Sequence, residues 1–367
     1  MNIKSNIEHL LDGVSKYIIM LQQINDFEFN FTHIGLTDYG KNIKLGPSCY
    51  ALKIFYMLNL WDQLSVSKKE GWVNYINSYQ SSKSQFTQNS YIDTGVVNFY
   101  NSNKVKNLFS DSLKTVLNLS PKYNFNSSAK KLNQAINADT KQAIATLHDI
   151  GAKNRQPLKN KYKDSQEMLN FLNNLDWTNP WSAGGQYSSL CVYSATQNYN
   201  FREELVNYSN KLVDQETGAY FNGKPKNPRE VINGAMKIIS GLDWLDVEIH
   251  EPIKLIDFCL SNKPNAEGCD IVDFIYVLYK CSKQSSYRHD DVKKTFTEVL
   301  ALFEKLSFEN SGFSYFPSKS QTHYYGVNVS KGVNAPDIHG TILSTWALVL
   351  IYDFINDSNE KYNIIKP

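Results

Sequence analysis

Asp337 and His339, in the segment DIHG, form the local pair best suited to acid–base chemistry in this sequence. A neighbouring carboxylate can orient an imidazole and hold its proton, and histidine titrates close to neutral pH. An aromatic cavity that raised the carboxyl pKa would let the same pair protonate an alkene. The plainer alternative is that Asp337 caps a helix. The segment LDWTNPWSAGGQYSSL, Leu175 to Leu190, concentrates rings and small residues. Trp177, Trp181 and Tyr187 could stack on a sugar or stabilise a carbocation, or simply fill a core. Asp243, Asp246, Glu248, His250 and Glu251 crowd GLDWLDVEIHEP, which reads as a junction between two helices rather than a metal site. The basic run Lys153 to Lys163 reads as a solvated loop. The motifs G-x-S-x-G, Walker loop, Rossmann fingerprint and H-E-x-x-H do not occur, so nucleotide-dependent and standard hydrolase chemistries fall away.

These residues need a scaffold, and composition bounds it. The chain has 367 residues, 42% hydrophobic and 20% charged, enough to bury a large core. Aromatic residues reach 13%, an excess that goes into a core or into the walls of a cavity. A net charge of +2 argues against a protein built to coat nucleic acid. The N-terminal stretch has no apolar signal segment, and the longest apolar run, Trp346 to Ile351, falls short of the ~20 residues of a membrane span. Five cysteines without a C-x-x-C pair suit a reducing compartment. The chain therefore reads as cytoplasmic, with the Asn-, Lys-, Ile- and Tyr-rich composition of an AT-rich, bacterial-like genome.

A repeat organises it. Small or acidic clusters at residues 47, 93, 139, 184, 233, 269 and 337 each precede an apolar helical stretch, and four of the six spacings lie between 45 and 49 residues. Between them lie amphipathic helices ending in a turn and an aromatic: Trp72 to Phe86, Glu204 to Phe221 and Thr297 to Phe316. Gly218 and Gly312 suit left-handed turns there. One helix type is two-faced and the other apolar nearly all round, so the second should be covered on both sides. This predicts an all-α fold in one domain, residues 1–367, with six or seven helical hairpins over about residues 45–355 closed into an (α/α)6-type toroid. An open solenoid is the rival. Inner-helix N-termini would share one mouth, where Asp93, Asp139, Asp270 and Asp337 recur as caps or as groups facing a ligand. Asp270 then joins Asp337 and His339 as a candidate catalytic group, and Asp93 and Asp139 join Trp181 and Tyr187 as candidate substrate-binding residues. The Asn-, Ser- and Lys-rich segment Asn101 to Asn133 fits the repeat least, and Gln321 to Asn334 reads as an insertion.

This grammar resembles the α/α toroids, chiefly the terpenoid cyclase and protein prenyltransferase superfamily. QETGAYF (Gln215 to Phe221) and ENSGFSYF (Glu309 to Phe316) are similar to the Gln-rich, Gly-aromatic turns that lock its outer helices. The turn aromatic is Tyr or Phe here, not Trp. The resemblance implies an enzyme acting on an isoprenoid or lipid-linked substrate in a central aromatic cavity. Neither D-x-D-D nor D-D-x-x-D occurs. By position the sequence looks most like the zinc prenyltransferase subunit, whose acid-x-Cys pair and later His bind the metal. Carried over, that implies Glu267, Cys269 and His339 as ligands of a zinc ion with an open fourth position. Two alternatives stay open. One is a carbohydrate-active α/α barrel (lyase, hydrolase or epimerase) using Tyr and His as acid and base with Trp platforms. The other is a non-catalytic toroid that binds a glycan, lipid or protein.

Overall fold

The computed structural model describes residues 3–82, 86–102, 127–356 and 361–367. Its helices are α1 (Ile3–Leu11), α2 (Val14–Leu21), α3 (Asp38–Asn42), α4 (Leu45–Met57), α5 (Val66–Asn77), α6 (Thr94–Ser102), α7 (Ser128–Asp149), α8 (Ser165–Asn173), α9 (Pro180–Thr196), α10 (Arg202–Lys211), α11 (Pro228–Trp244), α12 (Pro252–Ser261), α13 (Gly268–Gln284), α14 (His289–Glu304) and α15 (Ile338–Ile355). Strand is confined, among the described residues, to two hairpins of two-residue strands, β1 (Gln80–Ser81) with β2 (Ser90–Tyr91) and β3 (His323–Tyr324) with β4 (Val327–Asn328). The fold is all-α, as the periodicity predicts.

The two helix types separate by burial. In α14 the buried residues Val292, Phe296, Val299 and Phe303 fall three or four apart, a single stripe facing inward. In α10 the stripe is Leu205, Tyr208 and Ser209. By contrast α4 is buried at Leu45 through Ile54 without a break, and α15 at most positions. Six such helices contact one another in a cycle: α4 with α7, α7 with α9, α9 with α11, α11 with α13, α13 with α15, and α15 back to α4. The two-faced helices α5, α10, α12 and α14 pack on this inner set, and α1 and α2 cover α15. By length and hydropathy alone α15 could cross a membrane, yet 72% of it is buried inside the fold.

Several sequence markers do not open helices. Asp139 lies in the middle of α7, because Ser127 caps that helix twelve residues earlier than the repeat suggests, accepting a bond from Lys130 N. Residues 103–126, most of the ill-fitting segment, lie outside the described residues; its last part is already α7. Gly184 and Asn233 sit within α9 and α11, which start instead at Pro180 and Pro228 behind Asn179 and Asn227. Proline at the first helical position needs no N–H partner and presets φ, and these signals outweigh the small-residue clusters. Gly218 does take the left-handed conformation (φ +74°). At the later turn Asn310 takes it (φ +50°). Gly312 is needed for another reason: a Cβ there would meet Thr341 Oγ1 at 2.4 Å.

Candidate functional site

A cavity of about 510 Å³ lies among the six inner helices, and each contributes to its wall: Tyr50 and Lys53 from α4, Asn137 and Lys141 from α7, Trp181 and Gln186 from α9, Lys237 from α11, Asp273 from α13, His339 and Trp346 from α15. The loop between α14 and α15 covers one end with Tyr315, Gln321, His323, Tyr324 and Tyr325, and the segment after α15 reaches the wall with Ile365 and Pro367.

Asp337 secures that loop. Its Oδ1 accepts from Gly340 N at 2.8 Å, the N-cap bond of α15, while Oδ2 accepts from Tyr315 N at 2.8 Å and Gln321 N at 3.0 Å. Gly340 allows the approach, since a Cβ would stand 2.4 Å from Tyr315 N. Burial pushes the Asp337 carboxyl up to about 6 against the pull of these amides. Its acceptor capacity goes to the backbone, so Asp337 is a cap and a tie, not the proton donor that the sequence suggests. The strands β3 and β4 meet in a two-residue turn with positive φ at Tyr325 (+44°) and Gly326 (+86°), the mirror-image turn that suits a hairpin. Tyr324 donates to Asp139 Oδ1, a contact that passes over Gly46, where a Cβ would lie 2.3 Å from the phenol oxygen.

His339 sits on the cavity wall. Its ring stacks on Tyr50 at 5.1 Å and 4° and leans on Tyr315 at 5.3 Å. The Oε1 of Gln321 accepts from Nδ1, which fixes the proton there and leaves the lone pair on Nε2. Burial, with the charge of Lys237 adding, pushes its pKa down to about 3, so the imidazole is neutral. Lys141 donates to Ser188 Oγ at 3.0 Å and has no carboxylate partner among the described residues; burial, then Lys237 and Lys53, push it down to about 7. The Lys237 ammonium has neither a hydrogen bond nor an ion pair among the described residues, while its carbonyl accepts from Ser240 Oγ at 2.8 Å. Asp273, the one carboxylate among the described lining residues, is pushed up to about 6 by burial, with Lys237 opposing, and its Oδ2 is unpartnered.

The sequence-derived candidates divide. His339, Trp181 and Cys269 line the cavity. Asp139 lies behind the wall, buried, its Oδ2 without a partner among the described residues and its carboxyl pushed up to about 8 by burial. Asp93 is structural: Oδ2 accepts from Lys44 N and Leu45 N at the start of α4, and Oδ1 from Gly95 N. Tyr187 is core, its hydroxyl on Leu205 O, and Trp177 is core with its indole on Leu172 O. Asp270 is taken up by Arg229 Nε at 2.5 Å and by Asn233 and Asn265, facing a separate pocket of about 540 Å³. Glu267, Cys269 and His339 are not gathered as a metal set. Glu267 pairs with Arg229 at 2.8 Å, burial pushes the Cys269 thiol up to about 12, and no group of three or more His, Cys, Asp and Glu side chains converges among the described residues. These donors do not fit a zinc ion.

Missed from the sequence were Lys141, Lys237, Asp273, Gln321 and the tyrosines. A signal existed for some. Single charged residues interrupt otherwise apolar inner helices, and Lys141, Ser189 and Lys237 follow one another at 48-residue steps, within the 45–49 range of the repeat.

No family model matches the chain, and no curated protein matches it. A solved structure of a polysaccharide lyase is similar over 96% of this chain and 97% of its own, with 12% identity and a TM-score of 0.45. That likeness is too distant to bear on activity.

Proposed function

We propose that the protein is a carbohydrate-active enzyme that cleaves an acidic, uronate-containing polysaccharide by β-elimination in the central cavity. One arrangement carries this reading: a neutral histidine, fixed by Gln321 between two tyrosines, shares a cavity with two lysines that lack carboxylate partners among the described residues. Cleaving a 4-linked uronide without water needs three things. The sugar carboxylate must be neutralised so that the C5 proton becomes acidic, a base must take that proton, and an acid must protonate the departing oxygen.

Lys141 and Lys237 supply the cationic contact, with the amides of Asn137 and Gln186 on the same wall. A carboxylate bound there cancels the charge of Lys237, one of the two causes that depress His339, and so raises its basicity. Nε2 of His339 takes the C5 proton. The electron pair forms the C4=C5 double bond, and the C4–O bond breaks with its pair on oxygen. Tyr325, a phenol protonated at neutral pH whose hydroxyl has no hydrogen-bond partner among the described residues, gives that oxygen its proton. Hydrolysis is less well supported, because it uses two facing carboxylates and Asp273 stands alone in the described lining. The isoprenoid reading has the aromatic wall in its favour but no gathered metal ligands for a diphosphate among the described residues.

Incubation with linear polyuronides, with a neutral glucan as control, should give the ultraviolet absorbance of a C4=C5 unsaturated uronate, and His339→Ala should slow its appearance at least about a hundredfold. Absence of both binding and double-bond formation across polyuronides of different sugar and linkage overturns the proposal.

A further inference from the structure

We infer that the cavity is blind, sealed by the segment 361–367, and that the enzyme therefore works from a chain end and releases short products of fixed length. This rests on the reading of the site as polysaccharide-cleaving and adds how the chain is presented to it.

The segment crosses the C-terminal ends of the inner helices, opposite the loop-covered mouth. Asn363 N donates to Met57 O, the last residue of α4, at 3.0 Å. Lys366 N donates to Asp149 Oδ1, the last residue of α7, at 3.0 Å. The Lys366 ammonium donates to Asp243 O at 3.0 Å and lies 5.5 Å over the Trp244 ring, at the end of α11. The Trp244 indole donates to Pro367 O at 2.7 Å. In the cycle of inner helices α7 and α11 are not neighbours; α9 stands between them. A segment bonded to both must span the opening. The space there is narrow already, since the rings of His148 and Trp244 meet at 4.7 Å. An ammonium on a helix's terminal carbonyl also answers the negative end of its dipole. Beneath the segment Lys53 pairs with Asp149 at 3.0 Å and donates to Lys366 O at 3.0 Å, tying the seal to the wall of the cavity. Ile365, 3% exposed, and Pro367 present their side chains as the floor.

An open-ended groove accepts the middle of a polymer. A pocket with a floor accepts only a terminus, and the depth from floor to His339 sets how many sugars are released.

The test uses the full chain and one polyuronide fractionated by length. At equal mass, the initial rate should rise in proportion to the number of chain ends, and one short product should appear from the first turnovers. Deleting residues 361–367 should yield a spread of product sizes. Because the deletion exposes Lys53 and could unfold the protein, Ile365→Gly serves as a second variant. It keeps every main-chain bond of the segment, lowers the floor, and should shift the product to a longer one. Early products of mixed size from the unaltered protein, at a rate indifferent to chain length, overturn the inference while leaving the lyase reading intact. Absence of cleavage with every polyuronide overturns both.

Discussion

Asp273 and Lys141 give the cavity a pH response whose sign follows from their positions. Both groups change state near neutrality, Asp273 at about 6 and Lys141 at about 7. Below 6 Asp273 is neutral and Lys141 charged, so the cavity is most cationic. As pH rises the first gains negative charge and the second loses positive charge. Affinity for a polyuronide, whose carboxylates stay ionised throughout, should fall in two steps between about pH 5.5 and 8, measured by calorimetric titration. Asp273→Asn should remove the lower step and tighten binding several-fold at pH 7, an effect that added salt erodes. His339, neutral above about 3, contributes no step in this range. Its replacement by Ala should leave affinity intact and cut kcat by about a hundredfold to ten-thousandfold, the usual worth of a positioned base. Asp139 obeys a different sign. Its folded-state pKa of about 8 stands above the ordinary aspartate value of 3.8, so the folded protein holds a proton that the unfolded chain releases. Stability from this group is full below pH 4 and drains away as pH climbs toward 8. Asn copies the neutral acid, including the acceptor for Tyr324. Asp139→Asn should therefore melt close to the unaltered protein at pH 4 and above it at pH 8.

At the scale of elements, the loop from α14 to α15 decides whether the site exists. Asp337 binds its two arms and the first turn of α15 with three backbone bonds, and Gln321, which orients His339, hangs from one of them. Asp337→Ala should cost more than ~2 kcal/mol, since a lost cap and two orphaned buried amides each contribute about 1 kcal/mol or more. Asp337→Asn should not rescue it, because its amide would face N–H donors. Thermal melts with near-ultraviolet circular dichroism check both effects. The sequence pointed to Asp337 and His339 together because they are adjacent, but adjacency at a helix start separates their duties: the cap turns back to the backbone while the residue two further on faces the ring axis. The alternation of helices was legible because a 3.6-residue period leaves a mark in burial. Gln321 to Asn334 was visible only as an interruption, since a loop held by main-chain bonds and a positive-φ turn leaves no periodicity. Asp139 was misplaced for the converse reason: α7 runs on through a stretch where the repeat promised a start.

For the whole molecule, closure leaves every inner helix covered by two inner neighbours, and the stability of each depends on the integrity of the ring. The buried Lys53–Asp149 pair sits at one junction of this cycle, between α4 and α7, with the segment 361–367 across it. Both side chains are almost fully excluded from water, at 3% and 4% exposure. The attraction in such a pair barely repays desolvation, but an orphaned partner repays nothing. Lys53→Met should thus destabilise the fold by about 3–5 kcal/mol, and Asp149→Leu by a similar amount. The double variant should recover most of the loss, because two apolar side chains replace two charges in a space that already excludes water. Chemical denaturation of the four proteins closes the cycle. If the helices unfold as one ring, all four should show a single transition of equal denaturant dependence, with only the midpoint moving. A separate early transition in Lys53→Met would mean that α4 and α7 part while the remaining four inner helices stay packed, and closure would then be a contact between two independent halves rather than the source of the fold's cooperativity.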